Sequence, residues 1–433
     1  MKNKGNLKKY IILNILKGID SFDKLLQFFY GIYPTELREL LNELENEGVI
    51  YEENGSFVVD KNYVDTFCII NVNTLNIGEI NKEFSKIYYE LPTPHPLDYE
   101  WRWDLNSIEN LFKSIIDERP FNNLKIAFLG APTSAIYFSL AKKLENLDLE
   151  LTLVDRNEEI IKYISNYKIL NNHIKTILHD LQYDFRNQLG KFDVIVMDPP
   201  WYVDFYKIFI SRASTILQSE SGLIYSSLFP TNTRPHAVYE RIEILEIFTK
   251  SGLSILSLTP SFFKYETPHF ESKSLAVSGL KLENNWRYGD LIILQSTKLL
   301  RPIIVGDFII ENFTWRTVKF GEKIIKIKIL PFKTRYVNPK IIQILDKSNP
   351  IFESVSRRHI YRPYVDMWTS DNEIFHLVGN NVIYDILKSL SSGKDFNQIA
   401  EEISNKYKVG KEKIEEDIKE IIEFVRNNIL RRD

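Results

Sequence analysis

Asp198, Pro199, Pro200, Trp201 and Tyr202 follow one another directly behind the apolar run 192–197. A β-branched run of that kind reads as a buried parallel strand. Each proline locks its own φ and restricts the residue before it, so the chain must leave the strand in a set direction. The strand end becomes a rigid shelf that carries the Asp198 carboxylate and the Pro199 carbonyl beneath an aromatic lid from Trp201 or Tyr202. Two acceptors under a ring suit an amine nucleophile, because they take its hydrogens and aim its lone pair at an electrophilic carbon. A primary amine with a pKa of about 10.4 must lose a proton before it attacks, and a nearby carboxylate gives that proton an exit. The plain alternative is a strand ending in an ordinary turn.

A partner for that shelf is found upstream. Residues 124–129 form an apolar run ending at Gly130, followed by Ala131, Pro132, Thr133 and Ser134 and a helical pattern over 135–147. A second strand over 149–154 closes at Asp155, 25 positions after Gly130, near the ~20-residue offset at which an acid meets a ribose hydroxyl. A third, over 174–178, precedes His179 and Asp180, placing a carboxylate where an adenine amino group could donate to it. Three acids at three successive strand tips fit a doubly wound α/β sheet of Rossmann-like type, whose ligands bind outside the carboxyl ends of the strands. The first loop holds one glycine and no Gly-Lys-Ser/Thr, so a nucleoside without pyrophosphate is favoured over NAD or ATP. S-adenosylmethionine or its decarboxylated form is the natural candidate, with Gly130, Ala131, Asp155, Asp180 and Asp198 as its binding residues and Asp198, Pro199, Trp201 and Tyr202 as the catalytic set. The alternative is strand-end acids that merely cap helices.

The order of Phe128-Leu129-Gly130, Val154-Asp155, Asp193 to Pro200 and Phe209-Ile210-Ser211-Arg212-Ala213 resembles the catalytic domain of branched-chain polyamine synthases, the N4-bis(aminopropyl)spermidine synthases, over about residues 91–300. The resemblance implies aminopropyl transfer from decarboxylated S-adenosylmethionine to an amine, with Asp198 at the acceptor, Asp155 on the ribose and Gly130 close to the cofactor. Where that family has three aspartates after the first glycine, this chain has Ala131, Pro132 and Thr133. Their loss removes attraction for a polycation, which weakens the expectation of spermidine and brings in methyl transfer from S-adenosylmethionine itself. The far end, residues 357–433, resembles PqqD-like peptide-recognition domains: a short strand at 374–381 and helical patterns over 382–390, 396–407 and 414–427. That resemblance implies a ribosomally made precursor whose leader peptide adds as a strand to a sheet edge, so the expected reaction is alkylation of that peptide, with branched-polyamine synthesis or amino-group methylation of nucleic acid as the alternatives. A generic interaction module of winged-helix type is the alternative.

The remaining sequence sets the frame. At 433 residues the chain exceeds the length over which one core keeps growing. Its expected units are a winged helix over 1–65, a Rossmann-like transferase domain over 66–300, a β-rich extension and linker over 301–354, and a PqqD-like, winged-helix-like unit over 355–433. The single cysteine, Cys68, excludes an intrachain disulfide framework. The seven histidines show no metal-binding spacing, so no metal is expected. No apolar run is long enough to span a membrane and no secretion signal stands out, so cytoplasmic residence is expected.

Helical patterns at 8–17, 21–29 and 34–47 lead into a hairpin turning at Asn54-Gly55. Residues 1–60 carry seven Lys or Arg against ten Asp or Glu, and the third helix holds five glutamates against Arg38. Such a helix repels phosphates, so a packing or dimerisation module is expected, with a homodimer and no nucleic acid or membrane as partner. Strands are expected at 253–258, 291–294 and 303–309. Lysines alternating with isoleucines over 323–329 read as an edge strand guarded against aggregation, and prolines 339 and 350 mark a connector. Trp101 and Trp103 either wall an acceptor site or plug a domain junction, and the loop from Phe263 to His269 either closes over the cofactor or does nothing chemical.

Overall fold

The computed structural model describes residues 4–64, 70–119, 123–185, 189–282, 285–310, 314–331, 335–345 and 349–430. Cys68 and Lys333 lie outside them. The chain opens with helices α1 (Lys4–Leu16), α2 (Phe22–Phe28) and α3 (Pro34–Asn46), then the hairpin β1 (Ile50–Glu53) and β2 (Ser56–Val59) and a short turn of helix, α4 (Lys61–Val64). Ser21 caps α2 and Pro34 starts α3, as their sequence positions dictate. The hairpin turns on Asn54 and Gly55, both with positive φ, which a tight antiparallel turn of this kind requires. Leu37, Leu40, Leu41 and Leu44 of α3 bury against Ile11, Ile12 and the hairpin's Phe57 and Val59. This unit rests on the next by Lys17 Nζ donating to the Asp117 carbonyl at 2.9 Å and by Arg119 over the Tyr10 ring.

The central layer follows as α5 (Ile77–Glu90), α6 (Leu105–Glu118), β3 (Leu124–Leu129), α7 (Pro132–Leu144), β4 (Leu149–Asp155), α8 (Glu158–Asn166) and β5 (Lys175–Leu178). It continues through β6 (Val194–Met197), α9 (Val203–Ile216), β7 (Leu223–Leu228), α10 (Ala237–Lys250), β8 (Leu253–Lys264), α11 (His269–Val277) and β9 (Tyr288–Ser296). Its seven strands lie in the order β5-β4-β3-β6-β7-β9-β8, the first five parallel and β9 antiparallel to both neighbours. Every residue of β6 and β7 is buried, the signature of strands covered on both faces. The strand order reverses at β3, between β4 and β6, and that switch opens a crevice at the carboxyl ends where Gly130 stands.

The third unit corrects two expectations. Residues 303–309 form no strand. They lie as an irregular strap held by Ile304 N on Ser211 Oγ at 3.0 Å and Phe308 N on the Gln182 carbonyl at 2.8 Å, because their backbone groups pair with α9 and the loop after β5 instead of a ladder. The lysine-rich strand is not at an edge. Strands β10 (Thr314–Phe320), β11 (Lys323–Ile329), β12 (Lys340–Gln343), β13 (Met367–Thr369) and β14 (Ile374–Val378) form one antiparallel sheet in the order β10-β11-β13-β14-β12, so β11 is flanked on both sides. The sheet crosses the expected boundary at 354/355, and strands from both segments share one core with helices α12 (Asn380–Ser391), α13 (Phe396–Tyr407) and α14 (Lys411–Phe424).

Period-2 alternation sends Ile325 and Ile327 of β11 toward those helices and Lys326 and Lys328 to the other face. Lys323 pairs with Asp371 at 2.7 Å and Glu373 at 2.9 Å. Lys326 pairs with Asp98 of the central domain, both side chains nearly buried. His95 adds a second tie: its Nε2 bonds the Trp368 carbonyl at 2.9 Å, and burial pushes its imidazole down to about 3, so it stays neutral. Among the described residues no helix is long and apolar enough to cross a membrane.

Removing one member of a buried ion pair strands the other charge at a cost of about 3–5 kcal/mol. Lys326→Met is therefore expected to lower the denaturant midpoint of unfolding sharply. The double variant Lys326→Met/Asp98→Asn should recover most of the loss, measured by urea titration followed by tryptophan fluorescence.

Candidate active site

Gly130 has φ +61°, and a Cβ there would stand 3.2 Å from the Phe209 ring and 3.8 Å from the Asp198 carbonyl. A side chain there would be strained by the positive φ and crowded by the Phe209 ring. The chain turns at Gly130, with its N–H on the Val154 carbonyl at 3.0 Å, and enters α7 through Ala131 and Pro132. No side chain caps that helix. The motif around Phe209 now has a physical reading. Phe209 packs under Gly130, Ser211 holds the strap, and buried Arg212 donates to the carbonyls of Leu181 at 2.9 Å and Gly306 at 2.8 Å, which ties the loop after β5 to the helix behind the shelf.

All five expected cofactor residues, Gly130, Ala131, Asp155, Asp180 and Asp198, line one cleft with about 850 Å³ of empty volume. Asp155 Oδ1 accepts from the Asn157 N–H at 2.7 Å. Burial pushes its carboxyl up to about 7, against that hydrogen bond and with help from Glu100 and Asp98. Asp180 accepts from the Gln182 backbone and side chain, both at 3.0 Å, and lies 3.8 Å from Arg156. Asp98 and Glu100, in the segment before α6, complete an acidic wall. Asn157 Nδ2 donates to Glu100 Oε2 at 3.0 Å, and Arg102 Nε donates to Glu100 Oε1 at 2.6 Å. Neither acid was legible as a site residue, since the only sequence signal there was the flanking prolines and tryptophans.

Asp198 belongs at once to this cleft and to a wider, more open crevice of about 1920 Å³. Its Oδ1 accepts from Tyr265 Oη at 2.8 Å and from Ser227 Oγ. Among the described residues no donor reaches Oδ2 or the Pro199 carbonyl. Burial drives the Asp198 carboxyl up to about 7, while Ser227, Tyr265 and Arg287 pull the other way. Pro199, Trp201 and Tyr202 line the wider crevice only. The Tyr202 hydroxyl accepts from the Arg357 N–H at 3.2 Å, and Arg358 reaches Glu240 at 2.6 Å, so the segment leading into the last unit forms one wall. Both tryptophans wall the site. Trp101 lines both spaces, and Trp103, buried and stacked on Phe263 at 4.0 Å, lines the nucleoside cleft only. Tyr265, in the loop after β8, gains a role through its contact with Asp198. Glu271 and Arg287, also on the crevice, had no sequence signal at all.

The cleft fits a sulfonium nucleoside: a glycine cradle that a Cβ would fill, acids at the tips of β4 and β5, and no phosphate loop. Among the described residues no His, Cys, Asp and Glu group could hold a metal. Residues 116–301 match the family model for the branched-chain polyamine synthase A C-terminal domain. An uncharacterised protein of Methanocaldococcus jannaschii is 33% identical over 169 residues, 38% of this chain and 41% of that protein, so the match spans about two fifths of the relative's length.

Among solved structures, the branched-chain polyamine synthase of Thermus thermophilus in complex with N4-aminopropylspermidine and 5'-methylthioadenosine is similar at 15% identity. The match covers 64% of this chain and 82% of that one, with a TM-score of 0.47. Aeropyrum pernix fibrillarin with bound S-adenosyl-L-methionine is similar at 15% identity, over 44% and 76% of the two chains, with a TM-score of 0.30. The family match takes in β3 to β9, all seven strands of the central sheet.

A carboxyl raised on folding keeps its proton in the folded state after the unfolded chain, with Asp near 3.9, has lost it. Asp198 and Asp155 therefore make stability fall as pH rises from about 4 to about 7. Asp198→Asn should raise the unfolding midpoint at pH 8 relative to the parent, and the gain should shrink toward pH 4. Thermal scans at both pH values measure it.

Proposed function

We propose that this protein is an N-alkyltransferase of the aminopropyltransferase type, moving a group from S-adenosylmethionine or its decarboxylated form to a small amine. The observation that carries the reading is the double membership of Asp198: one carboxylate lies on the nucleoside cleft and on the separate crevice beside it. When bound, the donor supplies a sulfonium-activated carbon, so that a nitrogen–carbon bond forms as the carbon–sulfur bond breaks and its electrons return to sulfur.

The chain's own task is positioning and desolvation. Asp155 receives the ribose hydroxyls, and the acidic wall of Asp98 and Glu100 favours a cationic ligand. Tyr265 and Ser227 hold Asp198 Oδ1, which leaves Oδ2 and the Pro199 carbonyl to take two hydrogens of the attacking amine and to accept its surplus proton. Trp201 and Tyr202 exclude water from the acceptor side. The small-amine reading is favoured over a precursor peptide by the family match, which concerns the domain carrying both spaces. The last unit then serves by walling the crevice through the segment at 353–356, and docking of a leader peptide is not required of it.

The choice between aminopropyl and methyl transfer turns on Ala131, Pro132 and Thr133. Without acids at the start of α7, its uncapped N–H groups accommodate a carboxylate-bearing donor, which keeps S-adenosylmethionine as a second reading. Calorimetric titration with the two donors distinguishes them, and failure of both to bind would sink the proposal.

Asp198→Asn is expected to lower kcat by about 10²- to 10⁴-fold with donor affinity changed little, measured by single-turnover product analysis. Asp155→Asn should weaken binding of 5'-methylthioadenosine at least tenfold. Because Asp198 must be ionised to take a proton, turnover should climb with pH and level off above about 7, and a flat profile between pH 5.5 and 8.5 would contradict its role.

A further inference from the structure

Arg287 stands immediately before β9, its guanidinium carbon 3.9 Å from the Trp201 ring centroid, 4.1 Å from that of Trp101 and 5.6 Å from that of Tyr265. A space between aromatic faces is where the ammonium of a polyamine would lodge. Here the protein fills it with a cation of its own. Across the crevice, Glu271 projects from the first turn of α11. Arg287 Nε and Glu271 Oε2 are both buried, and among the described residues neither has a hydrogen-bond partner. Nor do the two side chains pair with each other within 4 Å among the described residues. A buried donor or acceptor left unmatched costs about 1–3 kcal/mol, more when charged, and a ligand that matches both recovers that cost. By contrast, Arg234 on the same crevice is already bound to Glu240 at 2.8 Å.

We infer that the acceptor is a diamino acid, its carboxylate taken by Arg287, its α-ammonium by Glu271, and its side-chain amine presented to Asp198. The inference rests on the transferase reading above and narrows its substrate class. A pure polyamine would meet a fixed guanidinium in the place where it needs an anion or a ring, and Asp198 and Glu271 alone would have to outweigh that repulsion. Arg287 is thus a specificity residue that selects for the carboxylate, and the planar fork of its guanidinium suits that group better than a lysine would.

Matched pairs test this, because L-ornithine and 1,4-diaminobutane, or L-lysine and 1,5-diaminopentane, differ only in the carboxylate. With purified full-length protein and either donor, alkylated product is quantified by mass spectrometry. The amino acid of at least one pair should exceed its diamine at least tenfold in kcat/KM. Arg287→Gln should raise KM for the amino acid and lower it for the diamine, reversing or levelling the ratio. A structural role for Arg287 would instead depress both acceptors together.

A parent enzyme that prefers the diamines, or a ratio unchanged in Arg287→Gln, overturns the inference and leaves the transferase reading intact. Alkylation of none of the four sinks the transferase reading. Equilibrium binding of the same four compounds then decides the inference by itself: tighter binding of the amino acids that Arg287→Gln abolishes supports it, and equal or absent binding overturns it.

Discussion

A carboxylate that burial drives toward neutrality, pinned on one oxygen by Ser227 and Tyr265, is the constraint around which this protein is organised. Its position follows from sheet topology. At the reversal of strand order the ends of β3, β4, β5 and β6 open onto one crevice, and the two prolines after Asp198 keep the chain from folding back over it. Ser227 comes from the neighbouring parallel strand β7, and Tyr265 from the end of β8 across the antiparallel edge. The shelf is thus fastened from two directions.

The same logic extends outward. Asp98, a wall of the nucleoside cleft, is held by Lys326 of the C-terminal sheet, and Arg357 and Arg358 reach Tyr202 and Glu240 from the segment before that unit. The last unit thereby forms part of the site. Buried ion pairs of this kind contribute little net stability over an apolar contact, but they specify one arrangement. A misdocked C-terminal sheet would leave Asp98 charged and unmatched beside the acids of the cleft.

Much of this was legible in the residues. The strands ending at Gly130, Asp155 and Asp198, the turn at Asn54-Gly55 and the three final helices each carry a local signal: a β-branched run, a residue able to take positive φ, or a 3.6-residue period. Other features resisted. Lys326 and Lys328 of β11 alternate with isoleucine as an edge strand's lysines would, yet the strand is interior, because alternation reports only that one face is polar and cannot say whether water or Asp98 and Asp366 meets it. Residues 303–309 have the composition of a strand but find their hydrogen-bond partners in Gln182 and Ser211, which lie far away in sequence.

By itself, then, the sequence determined the α/β sheet, the acids at its strand tips and the shelf, since periodicity, proline and glycine act within a few residues of where they stand. Only the tertiary structure decided which acids share a cavity, that Glu100 and Asp98 stand beside Asp155, that Tyr265 hydrogen-bonds Asp198, and that Arg287 and Glu271 line the wider crevice. Those relations depend on burial and on charges meeting across elements distant along the chain, and the energy of a carboxyl or a guanidinium is set by what surrounds it in space, which its neighbours in sequence do not specify.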